Sequence, residues 1–235
     1  MDRIFSVPLG DLIIWFVVFL FACAVHESAH AWTSDRFGDP TARYLGRITL
    51  NPIPHIDPIG TILIPLLGFV GSGINMFGWA KATPVNPLLW RDKTKANIWV
   101  SAAGPISNFG LATLAFIIIK VLLVAGVFRQ AYRGDGGPFN LVVPMLKDSW
   151  TEPVSTMLSI FLMLNVSLGV FNLFPIPPLD GSHVVESLLP YEQAKAYEQI
   201  RPYGFILLIA FIYTPIPGWV YGNIARILRM LLFST

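Results

Sequence analysis

Leu12-Ile13-Ile14-Trp15-Phe16-Val17-Val18-Phe19-Leu20-Phe21-Ala22-Cys23-Ala24-Val25 carries no charged side chain and leads straight into His26-Glu27-Ser28-Ala29-His30. Continued to Thr33, the run has the length of a bilayer-crossing helix, which takes about 20 residues. On a helix, positions i and i+4 share a face, so His26 and His30 offer two imidazoles to one point while Glu27 lies beside them. That is the spacing of a zinc site. Two rings hold the ion, and a neighbouring carboxylate takes a proton from a water that zinc has acidified and later returns it to a leaving amine. On a surface helix of a soluble chain an HExxH pentapeptide also arises by chance. Here the context decides, because an ionisable residue at membrane depth costs roughly 2.5–3.5 kcal/mol. Three such residues within five positions demand compensation, and metal ligation supplies it.

The composition fits a membrane protein. Hydrophobic residues make up 54% of the 235, charged residues 13%, and the mean hydropathy is +0.61, where a soluble domain carries about a quarter charged residues. A net charge of +2, with no basic block interleaved with aromatics, argues against a nucleic-acid partner. One cysteine, Cys23, forms no intramolecular disulfide, and no CxxC pair competes for a metal. The N-terminus lacks the basic start and cleavage site of a signal peptide, so the first apolar run is expected to stay as a span.

Further apolar stretches fall at 59–75, 98–126, 154–174, 203–214 and 217–233. The second is interrupted by Gly60, Pro65, Gly68, Gly71 and Gly73, then passes into Phe77-Gly78-Trp79-Ala80-Lys81-Ala82-Thr83-Pro84-Val85, which alternates like a hairpin strand. Residues 59–85 therefore read as a re-entrant element with a short β-hairpin, tolerated at membrane depth only against protein or a wet cavity. Thr214-Pro215-Ile216-Pro217-Gly218 reads as a tight turn, making 197–233 a helical hairpin. The expected fold is all-α: a multi-pass membrane helical bundle of five to six hydrophobic segments, a single domain over 1–235 with its core at 10–185.

Two imidazoles and a water leave zinc one protein ligand short. Asp180, in Asn172-Leu173-Phe174-Pro175-Ile176-Pro177-Pro178-Leu179-Asp180-Gly181, is the strongest candidate, because three prolines end the preceding helix and hold the aspartate just beyond it. Pro-Leu-Asp-Gly is also an ordinary turn sequence. His183, three residues on, is a competing ligand, and the proline-flanked carboxylate is preferred to it. His55, in a proline-rich loop, reads as structural, with a role near the substrate as the alternative. Asn108 reads as an interhelical hydrogen bond. The tryptophans at 79, 90, 99, 150 and 219 fall near expected interfaces and read as anchors.

With HExxH in a membrane helix, Gly104-Pro105-Ile106-Ser107-Asn108 opening a later one and the 172–181 segment after a third, the chain resembles the site-2 protease family of intramembrane zinc metalloproteases. The resemblance covers about 26–185 and includes Asn51-Pro52-Ile53-Pro54-His55-Ile56-Asp57-Pro58-Ile59-Gly60-Thr61 and Phe77-Gly78-Trp79-Ala80-Lys81. It implies that His26, His30 and Asp180 bind one Zn²⁺, that Glu27 is the catalytic base and that Asn172 helps hold the substrate. The chain is similar to the compact branch without a PDZ or CBS domain. Ala82 stands where many members have proline.

His30 and Asp180 share a metal only if they reach the same membrane face, which requires 59–75 to be re-entrant. That version puts eleven of the sixteen basic residues on the side of the site and predicts a cytoplasmic active site, five spans and a C-terminus on that same side. The expected activity is hydrolysis of a peptide bond in or near a transmembrane segment of a membrane protein, with the lipid bilayer as surroundings. Two rivals are a metal transporter and a catalytically silent membrane binding module. The first would need ligands on several helices, and the chain has four histidines, two of them in HExxH. The second has no need of a buried Glu27.

Overall fold

The computed structural model describes residues 8–72, 78–132, 135, 140–146 and 150–234, with 69–72 as backbone alone; Gly73 and Phe77 lie outside that set. Three long helices carry the architecture: α1 (Leu9–Arg36), α4 (Lys93–Val124) and α5 (Thr151–Asn172). All three are long and apolar enough to cross a membrane, yet only 33%, 22% and 50% of their most apolar stretches are buried within the protein. Outward residues such as Val17, Leu114, Ile117 and Val121 are largely exposed. Helices apolar on every face belong in lipid, so the chain is a membrane protein.

Capping fixes the end of α1 that follows the HExxH motif and the start of α4. α1 stops in a Schellman turn, in which Gly38 N–H donates to Asp35 O and Asp39 N–H to Ser34 O, each at 3.1 Å. Gly38 makes this possible with φ +109°, a left-handed backbone that side chains resist. α4 begins where Asp92 accepts from Lys95 N–H at 3.0 Å. Between them lie the short helix α2 (Thr41–Tyr44) and a π-helical turn, Pro58–Leu63, leading into α3 (Ile64–Ser72).

Segment 78–86 is extended and joins no β-ladder among the described residues. Trp79 N–H donates to Gly60 O at 3.1 Å, Lys81 N–H to His55 O at 2.9 Å, and the Thr61 hydroxyl to Trp79 O at 2.8 Å. The chain that leaves at Gly60 is thus back against it at Trp79. The strand pairing expected near 59–85 is replaced by these bonds to a proline-rich loop. The two-stranded antiparallel sheet lies instead at β1 (Phe128–Gln130) and β2 (Val142–Pro144), between α4 and α5.

α1 and α5 run one way and α4 the other. One end of the bundle therefore gathers the C-terminal half of α1, the start of α4 and the end of α5, while the sheet lies at the opposite end. The core is apolar near the sheet, where Ala112, Ala115, Ile119, Phe128, Leu158 and Leu162 pack together. It turns polar toward the other end, where Asn108 and Asn165 are fully buried.

Beyond α5 come α6 (Asp180–Leu188), α7 (Tyr191–Glu198), α8 (Gly204–Ile212) and α9 (Pro215–Phe233). The helical hairpin expected over 197–233 is a bent pair whose direction changes by 63°. Thr214 caps α9 and Pro215 starts it, so a new helix begins at the bend without reversing the chain. α9 then runs back along the bundle. The Tyr221 hydroxyl donates to Ser167 O at 3.4 Å, Leu232 packs in the cluster of Ala112 and Ile119, and Lys120 Nζ caps the last carbonyls of Leu232 and Ser234 at 2.9 and 2.8 Å. The C-terminus therefore lies at the sheet end, opposite the HExxH motif, and not beside that motif as the hairpin reading had it.

Candidate metal centre

His26 and His30 are one turn apart on α1, both buried, with Nε2 atoms 3.0 Å apart. Asp180 Oδ2 lies 3.2 Å from His26 Nε2 and 3.4 Å from His30 Nε2. The structure thus brings together the three side chains singled out from sequence. α5 delivers Asp180 by ending at Asn172. Pro175, Pro177 and Pro178 then prevent further helix until α6 starts at the aspartate itself.

Hydrogen-bond logic fixes the tautomer of both rings. Phe161 O can only accept, so Asn165 Nδ2 donates to it at 2.9 Å, leaving Asn165 Oδ1 to accept from Asn108 Nδ2, also at 2.9 Å. Asn108 Oδ1 therefore faces His26 Nδ1 at 2.6 Å, and that nitrogen carries the proton. His30 Nδ1 donates to Val100 O at 2.6 Å by the same reasoning. Both Nε2 atoms are left as lone pairs, pointing at each other and at Asp180 Oδ2, a buried atom with no hydrogen-bond partner. Three acceptors converging with no donor between them repel unless a cation sits among them. Tetrahedral zinc with bonds of roughly 2.0–2.1 Å places donor atoms about 3.3 Å apart, close to the observed triangle. The donor set fits zinc.

Gly104 completes the cradle. A Cβ there would lie 2.4 Å from His30 Nε2 and 2.6 Å from His26 Nε2, so only glycine lets α4 approach the rings this closely.

Glu27 lies beside the triad and is held from outside α1: Thr83 N–H and Thr83 Oγ1 reach Glu27 Oε2 at 2.7 and 2.8 Å. A cavity of about 580 Å³ is lined by His26, Glu27, His30, Asn172, Asp180 and His183. A second, of about 430 Å³, is lined by Cys23, Glu27, Ala80, Ala82, Asn172 and Leu208, among others. Asn172 borders both, its Nδ2 donating to Leu168 O at 3.0 Å.

His183 lines the first cavity outside the triad, 4.0 Å from Glu186 Oε2, and burial with the nearby Arg201 charge pushes its pKa down. His55, within the 49–56 loop, is buried and donates to Thr49 O at 3.1 Å. Burial, reinforced by the Arg47 charge, pushes its pKa below the ordinary histidine value. Sequence reasoning passed over Asn165 and Thr83; it read Asn108 as an interhelical hydrogen bond, as its bonds to His26 on α1 and Asn165 on α5 bear out, but without the link to the histidine pair. An amide at membrane depth within a turn of a Gly-Pro step was the available signal for Asn108; Thr83 had none.

A lipid-facing helix bundle with HExxH and a remote aspartate converging on one point defines a zinc metalloprotease. The chain belongs to Peptidase family M50, the site-2 protease family, whose sequence pattern matches residues 14–213. It is 35% identical to YwhC of Bacillus subtilis (strain 168), named as a candidate zinc metalloprotease, across the whole of this chain and 97% of that protein. Rip2 of Mycolicibacterium smegmatis, named in the same way, is 28% identical over 88% of this chain and 69% of its own length. No solved structure matches the chain.

Proposed function

We propose that this metalloprotease cuts a peptide bond in or near a transmembrane segment of another membrane protein. The observation that carries the reading is the depth of the site. His26 lies ten residues from the end of α1, about 15 Å at helical rise, in a bundle whose outer faces are apolar.

His26, His30 and Asp180 would hold one Zn²⁺ per chain, and the bound ion supplies Lewis acidity to a water and to the scissile carbonyl. Glu27 takes the proton and returns it to the leaving amine. Asn172, bordering both cavities, orients the substrate carbonyl. A helical substrate must unwind locally, and its freed backbone groups need partners. Among the described residues Ala80 N–H, Ala80 O and Ala82 N–H have no hydrogen-bond partner, and both alanines line the second cavity. An extended substrate pairs with that edge by strand addition.

The orientation in the membrane follows from the bundle's ends. Counting α1, α4, α5 and α9 as crossings, with 59–72 re-entrant, gives four spans and both termini on the side away from the site. Arg226 and Arg229 then join that far side, so the basic residues divide nine to seven in favour of the site's side. The excess supports a cytoplasmic active site. The test is reconstitution with single-span substrates, comparing wild type with Glu27→Gln by mass spectrometry. Cleavage within the span by wild type alone is expected. Wild-type cleavage restricted to soluble peptides overturns the intramembrane reading.

A further inference from the structure

We infer that Thr83 is the positioning residue of the general base, a role the HExxH motif itself does not contain. Glu27 is on α1 and Thr83 on the extended segment, 56 residues apart in sequence, and three contacts join them. Thr83 N–H donates to Glu27 Oε2 at 2.7 Å, and Thr83 Oγ1 lies 2.8 Å from the same oxygen and 2.9 Å from Glu27 main-chain O. The hydroxyl has one proton to share between those two acceptors. Either way Oε2 is engaged, and Oε1 has no protein partner among the described residues. The carboxylate is thereby divided into a held oxygen and a free one, and the free oxygen is the one left to exchange a proton with water.

Thr83 is itself held firmly. Its segment is clamped by Arg47, whose guanidinium bonds to Pro54 O, Lys81 O and Ala82 O, and by the bonds of Trp79 and Lys81 to Gly60 and His55. The strand edge at Ala80 and Ala82 lies within three residues of the group that aims the base. A substrate drawn onto that edge is therefore registered against Glu27 through Thr83. This inference rests on the peptidase reading, and its consequence is kinetic. Losing the hydroxyl leaves Glu27 Oε2 on the Thr83 N–H alone, a single bond about which the carboxylate can turn, which lowers turnover without touching the metal or the edge that binds substrate.

The experiment compares Thr83→Val, which keeps shape and N–H but lacks the hydroxyl, with Thr83→Ser, which keeps the hydroxyl. In proteoliposomes with a cleavable single-span substrate, Thr83→Val is expected to lose roughly 10–100-fold in kcat, with KM and bound zinc unchanged. Thr83→Ser is expected to stay within about threefold of wild type, on the strength of its retained hydroxyl bond. Should Thr83→Val not fold, Thr83→Ala replaces it in the same comparison with Thr83→Ser. Wild-type kcat in the variant lacking the hydroxyl, equal loss in both variants, or a loss confined to KM or zinc overturns the assignment. Wild type and Glu27→Gln that both leave every substrate intact would instead overturn the protease reading.

Discussion

Asn108 would do more for a metal held by His26, His30 and Asp180 than its place outside that triad implies. Because Phe161 O, Asn165 and Asn108 form one directed chain, the amide has no freedom to turn its nitrogen toward His26. Asn108→Ala removes the acceptor that keeps the proton on Nδ1, and the ring is then free to rotate or change tautomer. Outer partners of metal-bound histidines typically contribute 10–100-fold in affinity. Asn108→Ala is accordingly expected to lower zinc affinity by roughly that factor in chelator competition, with Asn165→Ala weaker in the same direction. The aspartate is expected to behave differently. Asp180→Ala removes a ligand and should deplete zinc outright, whereas His183→Ala, outside the triad, should keep it; the reverse result by metal analysis exchanges the two assignments. The histidine pair and Asp180 were legible in sequence, because i,i+4 geometry and proline chemistry are local. Asn165 and Thr83 were not. Their meaning arises from partners 57 and 56 positions away that only the packing brings within reach.

Segments were legible to the degree that apolarity defined them. The stretches at 12–33, 98–126 and 154–174 became α1, α4 and α5, each helix starting a few residues earlier because polar first turns are invisible to hydropathy. The alternation at 77–85 misled in one respect: Trp79, Lys81 and Thr83 spend their backbone donors on Gly60, His55 and Glu27, so the segment is extended without a ladder. Its far end is fastened to α1 by Asp39. That fully buried carboxylate accepts from Ser34 Oγ at 2.9 Å, Thr41 N–H at 3.0 Å and Asn86 N–H at 2.7 Å, while Trp90 Nε1 donates to Ser34 Oγ at 2.8 Å. Burial alone pushes the carboxyl pKa up, but the hydrogen bonds from Thr41, Asn86 and Ser34 outweigh it and hold the group below its ordinary value. A depressed folded-state pKa means that the unfolded chain takes up the proton first as pH falls. The stabilisation is therefore complete well above the unfolded value of about 3.9 and disappears as pH drops through the folded one. Asp39→Asn turns an NH₂ toward at least one donor, and should cost about 1–3 kcal/mol at pH 7. Thermal unfolding in detergent should show that deficit at neutral pH and a shrinking difference from wild type below about pH 4; a deficit independent of pH would mean the aspartate acts by shape alone.

The whole molecule has two unlike ends, and α9 decides which of them receives the C-terminus. Its 19 residues rise about 28 Å, close to the roughly 30 Å of a hydrocarbon core. Phe211, just before it, packs on Phe174 beyond the end of α5 with ring centroids 4.6 Å apart. Its last turn lies under Lys120, four residues from the end of α4. Hydropathy gave no access to this path, because two apolar stretches flanking Thr214-Pro215 serve a hairpin and a bent crossing equally well. Single cysteines at Thr94, Gln193 and Ser234, with Cys23 replaced by alanine, separate the two. A membrane-impermeant thiol reagent is expected to reach Ser234→Cys in intact cells, and Thr94→Cys and Gln193→Cys only after the cytoplasmic face is opened. If all three require opening, α9 does not carry the C-terminus to the far side, and the five-span arrangement, in which 203–214 and 217–233 cross as a hairpin, stands. If Thr94→Cys and Gln193→Cys label from opposite sides, the start of α4 and the helices after Asp180 do not share a face, and a site built from His26, His30 and Asp180 fails with them.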